Sequence, residues 1–425
     1  MRMLLQNGRV FLDGELRQKD LGISGEGISI FDKGPQGSAS YDRIIDCKDQ
    51  VILPGFADVH VHFREPGFSY KEKIQTGAMA GARGGYTAVC TMPNLNPPPA
   101  TLETLMQQLE IIERDSCIHI VPYGTITMNQ DGRSRLSDME EMAPYVCAFT
   151  DDGRGVQTGD LMEDAMKQAK ALGKIIVAHC EDESLLVPGG CIHDGEYARI
   201  HNLMGISSES EWRQVDRDLD LAAKTGCAYH VCHVSTKESV GLIRQAKKSG
   251  VDVTCETAPH YLLLSDMDLL DEGRFKMNPP IRSAADREAL KEGLVDGTVD
   301  MIATDHAPHS PEEKSRGLQG SPFGIVGLEI AFPLLYTNLV MRDELFSLKK
   351  LVDLMAFAPR RRFNLPGGAI SEGVPADITV VDLNREYLID SADFVSMGKA
   401  TPFDGWRVQG QINMTIVNGV VAYER

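Results

Sequence analysis

The amino-acid sequence predicts an α/β protein: a (β/α)₈ TIM-type barrel with a small β-domain formed by the N- and C-terminal segments. Short apolar runs rich in Val, Ile and Ala alternate with amphipathic stretches along the middle of the chain, a pattern typical of a parallel barrel. Both ends instead show short alternating strands with Gly, Asp and Pro turns. We expect the β-domain at 1–53 and 367–425 and the barrel at 54–366. Two unrelated β-appendages are the alternative.

The predicted barrel strands are apolar runs that each end in polar or turn-forming residues. They lie at 51–62, 86–94, 117–127, 145–153, 174–182, 228–235, 251–264 and 299–309. Between them, 160–171 and 237–248 place their apolar residues on one helical face and predict amphipathic helices.

Composition excludes several classes of protein. A chain of 425 residues with 42% hydrophobic and 24% charged residues can bury a large core. The net charge of −18 argues against nucleic acid or an anionic membrane as partner, because both require a basic face. The nine cysteines contain no Cys-x-x-Cys pair, and neither a signal peptide nor a membrane-length apolar window is evident. We therefore expect a cytoplasmic protein, in which an anionic small substrate would need local arginine or histidine.

Reactive residues stand at the carboxyl ends of the predicted strands, where barrels of this kind place their active sites. His60 and His62 end the first strand, and their spacing of two points both imidazoles to one face. His179 ends the fifth strand and Asp305 the eighth. Imidazoles and carboxylates converging on one rim predict a divalent-metal site, with two metals able to generate a nucleophile at neutral pH.

The sixth strand carries two histidines of opposite parity, so only one can face the barrel interior on a regular strand. His233 lies nearer the carboxyl end and is the predicted ligand, whereas His230 is predicted to be structural. The fourth strand has no lysine to bridge two metals. It ends in Asp151-Asp152-Gly153, so either aspartate can bridge, and a plain Asp-Gly turn is the alternative. Lys174 stands at the wrong end of the barrel.

Substrate recognition is predicted at two segments near the histidine pair. Arg64 offers the two-pronged donor that a carboxylate prefers, with a surface salt bridge as the alternative. Asn94 ends the second strand and can instead cap a turn. The segment 309–323 is rich in Ser, Pro, Glu, Lys and Gly and predicts a mobile lid. The histidines outside these strand ends are predicted to be structural or exposed: His119, His193, His201 and His260.

Together these motifs resemble class I dihydroorotases over nearly the whole chain. The residues that carry the resemblance lie at 54–67, which contains Asp-Val-His-Val-His-Phe-Arg, and at 92–94, 150–153, 277–282, 303–309 and 322–329. The opening Pro-Gly-Phe-x-Asp-x-His-x-His is shared with hydantoinases and allantoinases. The Asp-Asp-Gly and Asp-His-Ala-Pro-His segments narrow the resemblance to dihydroorotases.

The resemblance implies a set of site residues. It places metal ligands at His60, His62, Asp152, His179, His233 and Asp305, with Asp152 as the bridge. It places the substrate carboxylate on Arg64, Asn94 and His309, with His62 also facing substrate, and the dihydropyrimidine ring on Asn278, Phe323 and Gly324.

The resemblance also implies the reaction and the partners. One or two Zn²⁺ ions and Asp305 as proton carrier would interconvert L-dihydroorotate and N-carbamoyl-L-aspartate in pyrimidine biosynthesis. A homodimer and an association with aspartate transcarbamoylase are left open, since some relatives associate with that enzyme. The competing hypotheses are another cyclic-amide hydrolase, allantoinase or hydantoinase, and a non-catalytic homologue that binds a partner. Such homologues typically lose ligands, whereas this chain keeps all of them.

Overall fold

The computed structural model describes residues 2–34 and 41–425. The strands are β1 (Arg2–Leu12), β2 (Glu15–Ser24), β3 (Gly27–Phe31), β4 (Arg43–Asp46), β5 (Val51–Pro54), β6 (Phe56–Val61), β7 (Tyr86–Thr91), β8 (His119–Pro122), β9 (Ile176–Ala178), β10 (Ile192–His193), β11 (Gly205–Ile206), β12 (Tyr229–Val231), β13 (Val253–Thr257), β14 (Met301–Ile302), β15 (Ile378–Leu388), β16 (Arg407–Val417) and β17 (Val420–Glu424).

The α-helices are α1 (Ile74–Arg83), α2 (Leu102–Asp115), α3 (Met139–Met142), α4 (Gly159–Ala171), α5 (Glu196–His201), α6 (Glu209–Thr225), α7 (Lys237–Lys248), α8 (Pro259–Leu263), α9 (Ala284–Asp296), α10 (Pro311–Lys314), α11 (Gly317–Gly320), α12 (Ala331–Leu335), α13 (Leu348–Val352) and α14 (Ala358–Phe363). π-Helical turns follow α12 at Tyr336–Arg342 and α13 at Asp353–Phe357. Short 3₁₀ turns lie at Ala143–Tyr145, Glu183–Leu185, Asp266–Asp268, Gly273–Phe275 and Ser391–Asp393. In the described ranges, no helix is both long and apolar enough to cross a membrane.

Parallel segments close a barrel in the middle of the chain. Strands β6, β7 and β8 pair in that order, and β9, β12, β13 and β14 form a second parallel group. Phe149 joins the groups because it pairs with Gly124 after β8 and with Ile176 in β9. Val61 in β6 pairs with His306 after β14, which completes the ring. The predicted barrel is confirmed, and its fourth strand is reduced to the single paired residue Phe149.

The two ends of the chain share one mixed sheet with the order β17-β16-β15-β5-β1-β2-β3, and β4 pairs with β1. The C-terminal strand β15 is antiparallel to β5, so the two terminal segments are hydrogen-bonded to each other. Separate β-appendages are therefore wrong. The sheet buries its own apolar cluster, which includes Met3, Leu5, Leu21, Ile23, Ile378 and Ile416. The boundaries at 53/54 and 366/367 stay predictions.

The observed strands are shorter than the predicted runs, and two of these runs each cover two different elements. The run 51–62 is divided at Gly55, because β5 belongs to the terminal sheet and β6 to the barrel. A Cβ at Gly55 would lie 2.2 Å from Thr87 Cγ2, so only glycine fits this crossing. The run 251–264 forms a strand only over Val253–Thr257 and then turns into α8 at Pro259. Proline is well suited to the first turn of a helix and ends the strand pairing.

The helices follow the apolar periodicity closely. The predicted helix at 237–248 is α7, and it buries Val240 and Ile243. Thr236 caps its first turn by accepting a hydrogen bond from the Ser239 amide, and lysines occupy its last turn. Capping at one end and cations at the other satisfy the free amides and carbonyls of a helix. The predicted helix at 160–171 is α4 and begins one residue earlier.

Candidate active site

The barrel brings the reactive residues of the predicted strand ends to one rim. His60 lies in β6 with His62 just beyond its end, and the other four follow later barrel strands: Asp152, His179, His233 and Asp305. All six are buried, with exposed fractions of 0–6%. The continuous apolar runs before them supply the buried strands, so each polar side chain emerges where its strand ends.

The six side chains are close enough to hold divalent cations. Ligand atoms lie within 4.8 Å of one another in each of three triads, namely His60–His62–Asp152, Asp152–His179–His233 and His60–His233–Asp305. Asp152 belongs to two of these triads, as a bridging carboxylate would.

Unpartnered atoms at the same rim fit this interpretation. Buried polar atoms without a hydrogen-bond partner include His60 Nε2, His62 Nδ1, His179 Nε2, His233 Nδ1 and Asp152 Oδ1. Buried polar groups are normally paired, so this concentration indicates ligands for a bound ion. A set of imidazoles and carboxylates suits Zn²⁺ and similar divalent metals.

The neighbouring aspartates have different environments. The Asp151 carboxylate accepts hydrogen bonds from the backbone amides of Ile126 (2.8 Å), Thr127 (3.1 Å) and Gly132 (3.2 Å). Those bonds occupy its oxygens and hold the loop after β8. Asp152 Oδ1 instead lies 3.4 Å from His60 Nε2 and 3.6 Å from His233 Nε2. The structure thus places Asp152 among the imidazoles and Asp151 behind them.

The pKa values of the two carboxylates at the rim are shifted in opposite directions. Burial raises the pKa of Asp305 to about 8, and the negative charges of Asp152 and Glu256 add to that rise although His60 opposes it. For Asp152 burial also opposes ionisation, but the surrounding His60, His233 and His62 hold its pKa well below the usual range. Of the two carboxylates, Asp305 therefore has the higher proton affinity.

A further layer of buried carboxylates supports His60, and the sequence interpretation missed both members. His60 Nδ1 lies 2.6 Å from Glu256 Oε1 in β13, and the other Glu256 oxygen lies 3.1 Å from His230 Nε2. Asp58 accepts hydrogen bonds from the amides of His60 (2.9 Å) and Thr304 (3.0 Å). Such carboxylates orient metal-binding imidazoles. The sequence signal for both residues is an acidic residue inside a run that is predicted as a buried strand, Asp58 in β6 and Glu256 in β13.

His230 and His260 lie outside the three triads. His230 Nδ1 is 2.8 Å from Thr254 Oγ1, so both of its ring nitrogens are engaged behind the rim. His260 lies in α8 with Nε2 buried and unpartnered. Burial, with a smaller contribution from the nearby His233 and His60, lowers the pKa of His260 to about 3.

Three site residues adopt left-handed backbone conformations. The φ angles are 55° at Arg64, 31° at His233 and 47° at Asp305. Side chains other than glycine, asparagine and aspartate rarely occupy this region, and such strain concentrates at functional sites. These turns direct the side chains into the barrel mouth at the end of their strands.

A pocket of about 200 Å³ opens beside the imidazoles. Its walls contain every residue that the resemblance to dihydroorotases places on substrate: His62, Arg64, Asn94, Asn278, His309, Phe323 and Gly324. Arg64 is half-buried, and its Nε donates to the Pro308 carbonyl at 3.3 Å. It forms no ion pair with a carboxylate of the described chain. Burial lowers the pKa of Arg64 only to about 10, so the guanidinium is charged at neutral pH.

The two asparagines of the pocket each have a free carbonyl oxygen. Asn94 Nδ2 donates to the Asp152 carbonyl at 2.7 Å, and Asn278 Nδ2 donates to Glu181 Oε2 at 3.2 Å. Both Oδ1 atoms are buried without a partner. An amide nitrogen carries two N–H donors, so each side chain has a donor and an acceptor left for a ligand.

The loop after Asp305 is held against the pocket rather than extended. Lys314, in α10, donates its buried ammonium to the carbonyls of Pro322 (2.9 Å), Gly324 (2.7 Å) and Lys276 (3.3 Å). These bonds fix the backbone beside Phe323. Movement of the loop as a lid stays a prediction.

A parallel barrel whose strand ends carry four imidazoles and two carboxylates defines a metal-dependent amidohydrolase. Solved structures agree with that class. L-Hydantoinase from Arthrobacter aurescens superposes with a TM-score of 0.87 at 25% identity, over 99% of this chain and 96% of that one. D-Hydantoinase from Thermus sp. gives a TM-score of 0.84 over 99% and 95%, and at 23% identity it supports the fold alone.

Sequence comparison then gives the particular family. The Dihydro-orotase-like family model matches residues 49–239. Relatives named dihydroorotase include those of Bacillus licheniformis, 49% identical over 100% of this chain and 99% of the relative, and Fusobacterium nucleatum, 49% identical over 99% and 98%. The dihydroorotase of Bacillus subtilis is 48% identical over 100% and 99%. The chain belongs to the dihydroorotase family.

Proposed function

We propose that this protein catalyses the reversible hydrolysis of L-dihydroorotate to N-carbamoyl-L-aspartate, a step of pyrimidine biosynthesis. The observation that carries the proposal is the charged guanidinium of Arg64, which lines the pocket beside the imidazoles and forms no ion pair with a carboxylate among residues 2–34 and 41–425. A cation that is half-buried without an anion favours an anionic ligand. Dihydroorotate supplies that carboxylate on a cyclic amide, which is the bond that this class of enzyme cleaves.

We propose one or two Zn²⁺ ions as the resident metals. His60, His62, Asp152, His179, His233 and Asp305 would hold them, with Asp152 shared between the two sites. When bound, zinc supplies Lewis acidity and lowers the pKa of water. The free acceptor atoms at the rim and the absence of a fourth-strand lysine support an aspartate bridge.

Asp305 is the proposed proton carrier. Its Oδ1 lies 3.0 Å from His62 Nε2 and 3.4 Å from His60 Nε2, at the inner end of the pocket. In hydrolysis the Asp305 carboxylate accepts a proton from the attacking water and delivers it to the departing ring nitrogen. In the reverse direction the same carboxylate takes the proton from the carbamoyl nitrogen as the ring closes.

The remaining pocket residues orient the substrate in this proposal. Arg64, a free N–H of Asn94 and His309 bind the carboxylate, and the Asn278 Oδ1 accepts from a ring N–H. Phe323 and Gly324 form the wall beside the ring. Gly324 has φ 152°, and a Cβ there would lie 2.4 Å from the Ala307 carbonyl oxygen, so a larger residue would displace this wall.

Hydantoinase activity is the second candidate, because L-hydantoinase shares the fold at a TM-score of 0.87. An ultraviolet assay of the zinc-loaded protein with dihydroorotate, hydantoin and allantoin separates the possibilities. We expect turnover of dihydroorotate in both directions and little turnover of the uncharged rings. Activity on hydantoin or allantoin with none on dihydroorotate would refute the proposal.

We further propose a cytoplasmic homodimer. All nine cysteines are free thiols, as a reducing compartment requires. Exposed apolar side chains on neighbouring segments offer a surface for a second copy: Val187, Ile200, Met204, Met267 and Leu270. Light scattering of the wild type and of an Ile200→Asp, Met204→Asp variant tests this, and a monomeric wild type would contradict it. Association with aspartate transcarbamoylase stays a prediction that co-elution can check.

A further inference from the structure

A lysine outside the pocket wall contacts the substrate-binding histidine. Lys71, which precedes α1, places its Nζ 3.1 Å from His309 Nδ1 and 3.0 Å from Glu313 Oε1. The ammonium is also 5.8 Å from the ring of Phe68 and 5.5 Å from that of Tyr70. Its side chain is only 15% exposed, so its position is set by these neighbours. Neither composition nor motif spacing singled out this residue.

The contact fixes where His309 carries its proton. An ammonium has three N–H donors and no acceptor, so His309 Nδ1 must act as the acceptor of the bond from Lys71. A neutral imidazole then has its proton on Nε2. The structure agrees, because His309 Nε2 lies 2.8 Å from the carbonyl oxygen of Phe323, which can only accept. This N–H lies at the pocket wall, where both residues line the cavity.

The groups around His309 also keep it neutral. Burial and the positive charges of Arg64, Lys71 and Lys314 together lower its pKa to about 3. The opposing group is Glu313, whose Oε2 is 3.6 Å from His309 Nδ1. Without the lysine, the same nitrogen would face a carboxylate, which favours a proton on Nδ1. In the neutral ring Nε2 would then become an acceptor, and its 2.8 Å hydrogen bond to the Phe323 carbonyl would be lost.

We infer that Lys71 is a positioning residue for substrate recognition: it holds the His309 proton on Nε2, where the N–H donates to the Phe323 carbonyl and fixes both residues in the pocket wall. The inference rests on the proposed function, in which the substrate binds in the pocket that His309 and Phe323 line. Lys71 touches neither substrate nor metal in this account. Its effect should therefore appear in substrate affinity and its pH dependence, while zinc content and the chemical step are preserved.

The first experiment compares Lys71→Met with Lys73→Met, since Lys73 is an exposed lysine two residues further along the chain, at the N-cap of α1. We expect Lys71→Met to raise KM for dihydroorotate about tenfold or more with kcat within about threefold, because the His309–Phe323 hydrogen bond that fixes the pocket wall is lost. The KM difference from wild type should become smaller as pH falls, because protonation of His309 in the variant restores the Nε2 donor. Lys73→Met should match wild type.

Conservative variants separate positioning from general structural damage. Lys71→Arg keeps a donor at Nδ1 and should restore a KM near that of wild type. Adding Glu313→Gln to Lys71→Met removes the competing carboxylate and offers an amide donor, so it should recover part of the lost affinity. A Lys71→Met enzyme with wild-type KM and pH profile would overturn the inference. So would failure of both variants to improve on it.

A measurement without substrate distinguishes this inference from the proposed function. In ¹⁵N-histidine-labelled zinc-loaded protein, His309 is assigned by the signal lost in His309→Asn. We expect the Nε2–H tautomer in wild type and a change of tautomer or protonation in Lys71→Met. An Nδ1–H tautomer in wild type would overturn the inference whatever the enzyme hydrolyses. Absence of turnover of dihydroorotate by the wild type would refute the proposed function instead.

Discussion

Replacing Arg64 by methionine should remove recognition of the substrate carboxylate while leaving the barrel intact. Methionine preserves the length of the side chain, and the structural bond that is lost is the 3.3 Å contact from Nε to the Pro308 carbonyl. Because Arg64 has no carboxylate partner in the described chain, its charge is available to the ligand. The consequence should therefore fall on the substrate rather than on the free protein.

The magnitude follows from the contacts that a guanidinium can make. A hydrogen bond to a charged group contributes about 1.5–3 kcal/mol, and a two-pronged pair therefore about 3–6 kcal/mol. Since about 1.4 kcal/mol corresponds to a factor of ten, kcat/KM for dihydroorotate should fall roughly 10²- to 10⁴-fold. KM should carry most of the loss, because the carboxylate does not react.

The assay follows the ultraviolet absorbance of dihydroorotate in Arg64→Met and in Arg154→Met. Arg154 is an exposed arginine on the same rim, so it reports loss of one surface charge without loss of the pocket cation. We expect Arg154→Met to stay within about threefold of wild type, as surface charges contribute little. A decrease of less than about tenfold for Arg64→Met, with normal zinc content, would refute the role given to this arginine.

Three further predictions follow from the rim. Asp305→Asn should lower kcat by about 10²- to 10⁴-fold with KM within about threefold, because the proton carrier is lost. Asparagine tolerates the φ of 47° at this position, so the backbone should be preserved. Retention of most activity in zinc-replete enzyme would require another base. Glu256→Gln should weaken zinc binding about 10- to 100-fold in chelator competition, because it loosens the 2.6 Å contact to His60 Nδ1. An unchanged affinity for zinc would contradict the role of Glu256 in orienting His60. Burial opposes ionisation of Glu256, but the charge of His60 and hydrogen bonds from His230 and His60 lower its pKa to about 2 from 4.5. Because its pKa is lowered in the folded protein, Glu256 contributes stability above pH 4.5, and this stability is lost as pH falls toward 2. The urea midpoint of the metal-free protein should therefore fall less steeply with acid in Glu256→Gln than in wild type.

Periodicity was sufficient to predict the barrel, because buried parallel strands and their helices leave different apolar patterns. Periodicity was insufficient where a single apolar run contains two different secondary-structure elements. At Gly55 the chain passes from the terminal sheet into the barrel without a polar break. At Pro259 a buried strand becomes a short buried helix, which has the same apolar composition.

The rim could be predicted because its residues share one local rule, a polar side chain at the end of a buried strand. Asn278, Phe323 and Gly324 follow no barrel strand, and only the resemblance to dihydroorotases placed them on substrate; they line the same pocket. The roles of Glu256 and Lys71 could not be predicted in this way, since each acts on a residue from a distant part of the chain. The choice between Asp151 and Asp152 depends on the path of the loop after β8, which presents its amides to Asp151. Sequence alone does not give that path.

The most direct test of the account is the substrate preference of the zinc-loaded wild-type protein. Dihydroorotate, hydantoin and allantoin are offered at equal concentration, and ring opening is followed by ultraviolet absorbance. We predict that kcat/KM for dihydroorotate exceeds that for either uncharged ring by about 10²-fold or more, which corresponds to the binding free energy expected from the Arg64 contacts. A preference for hydantoin or allantoin would contradict it.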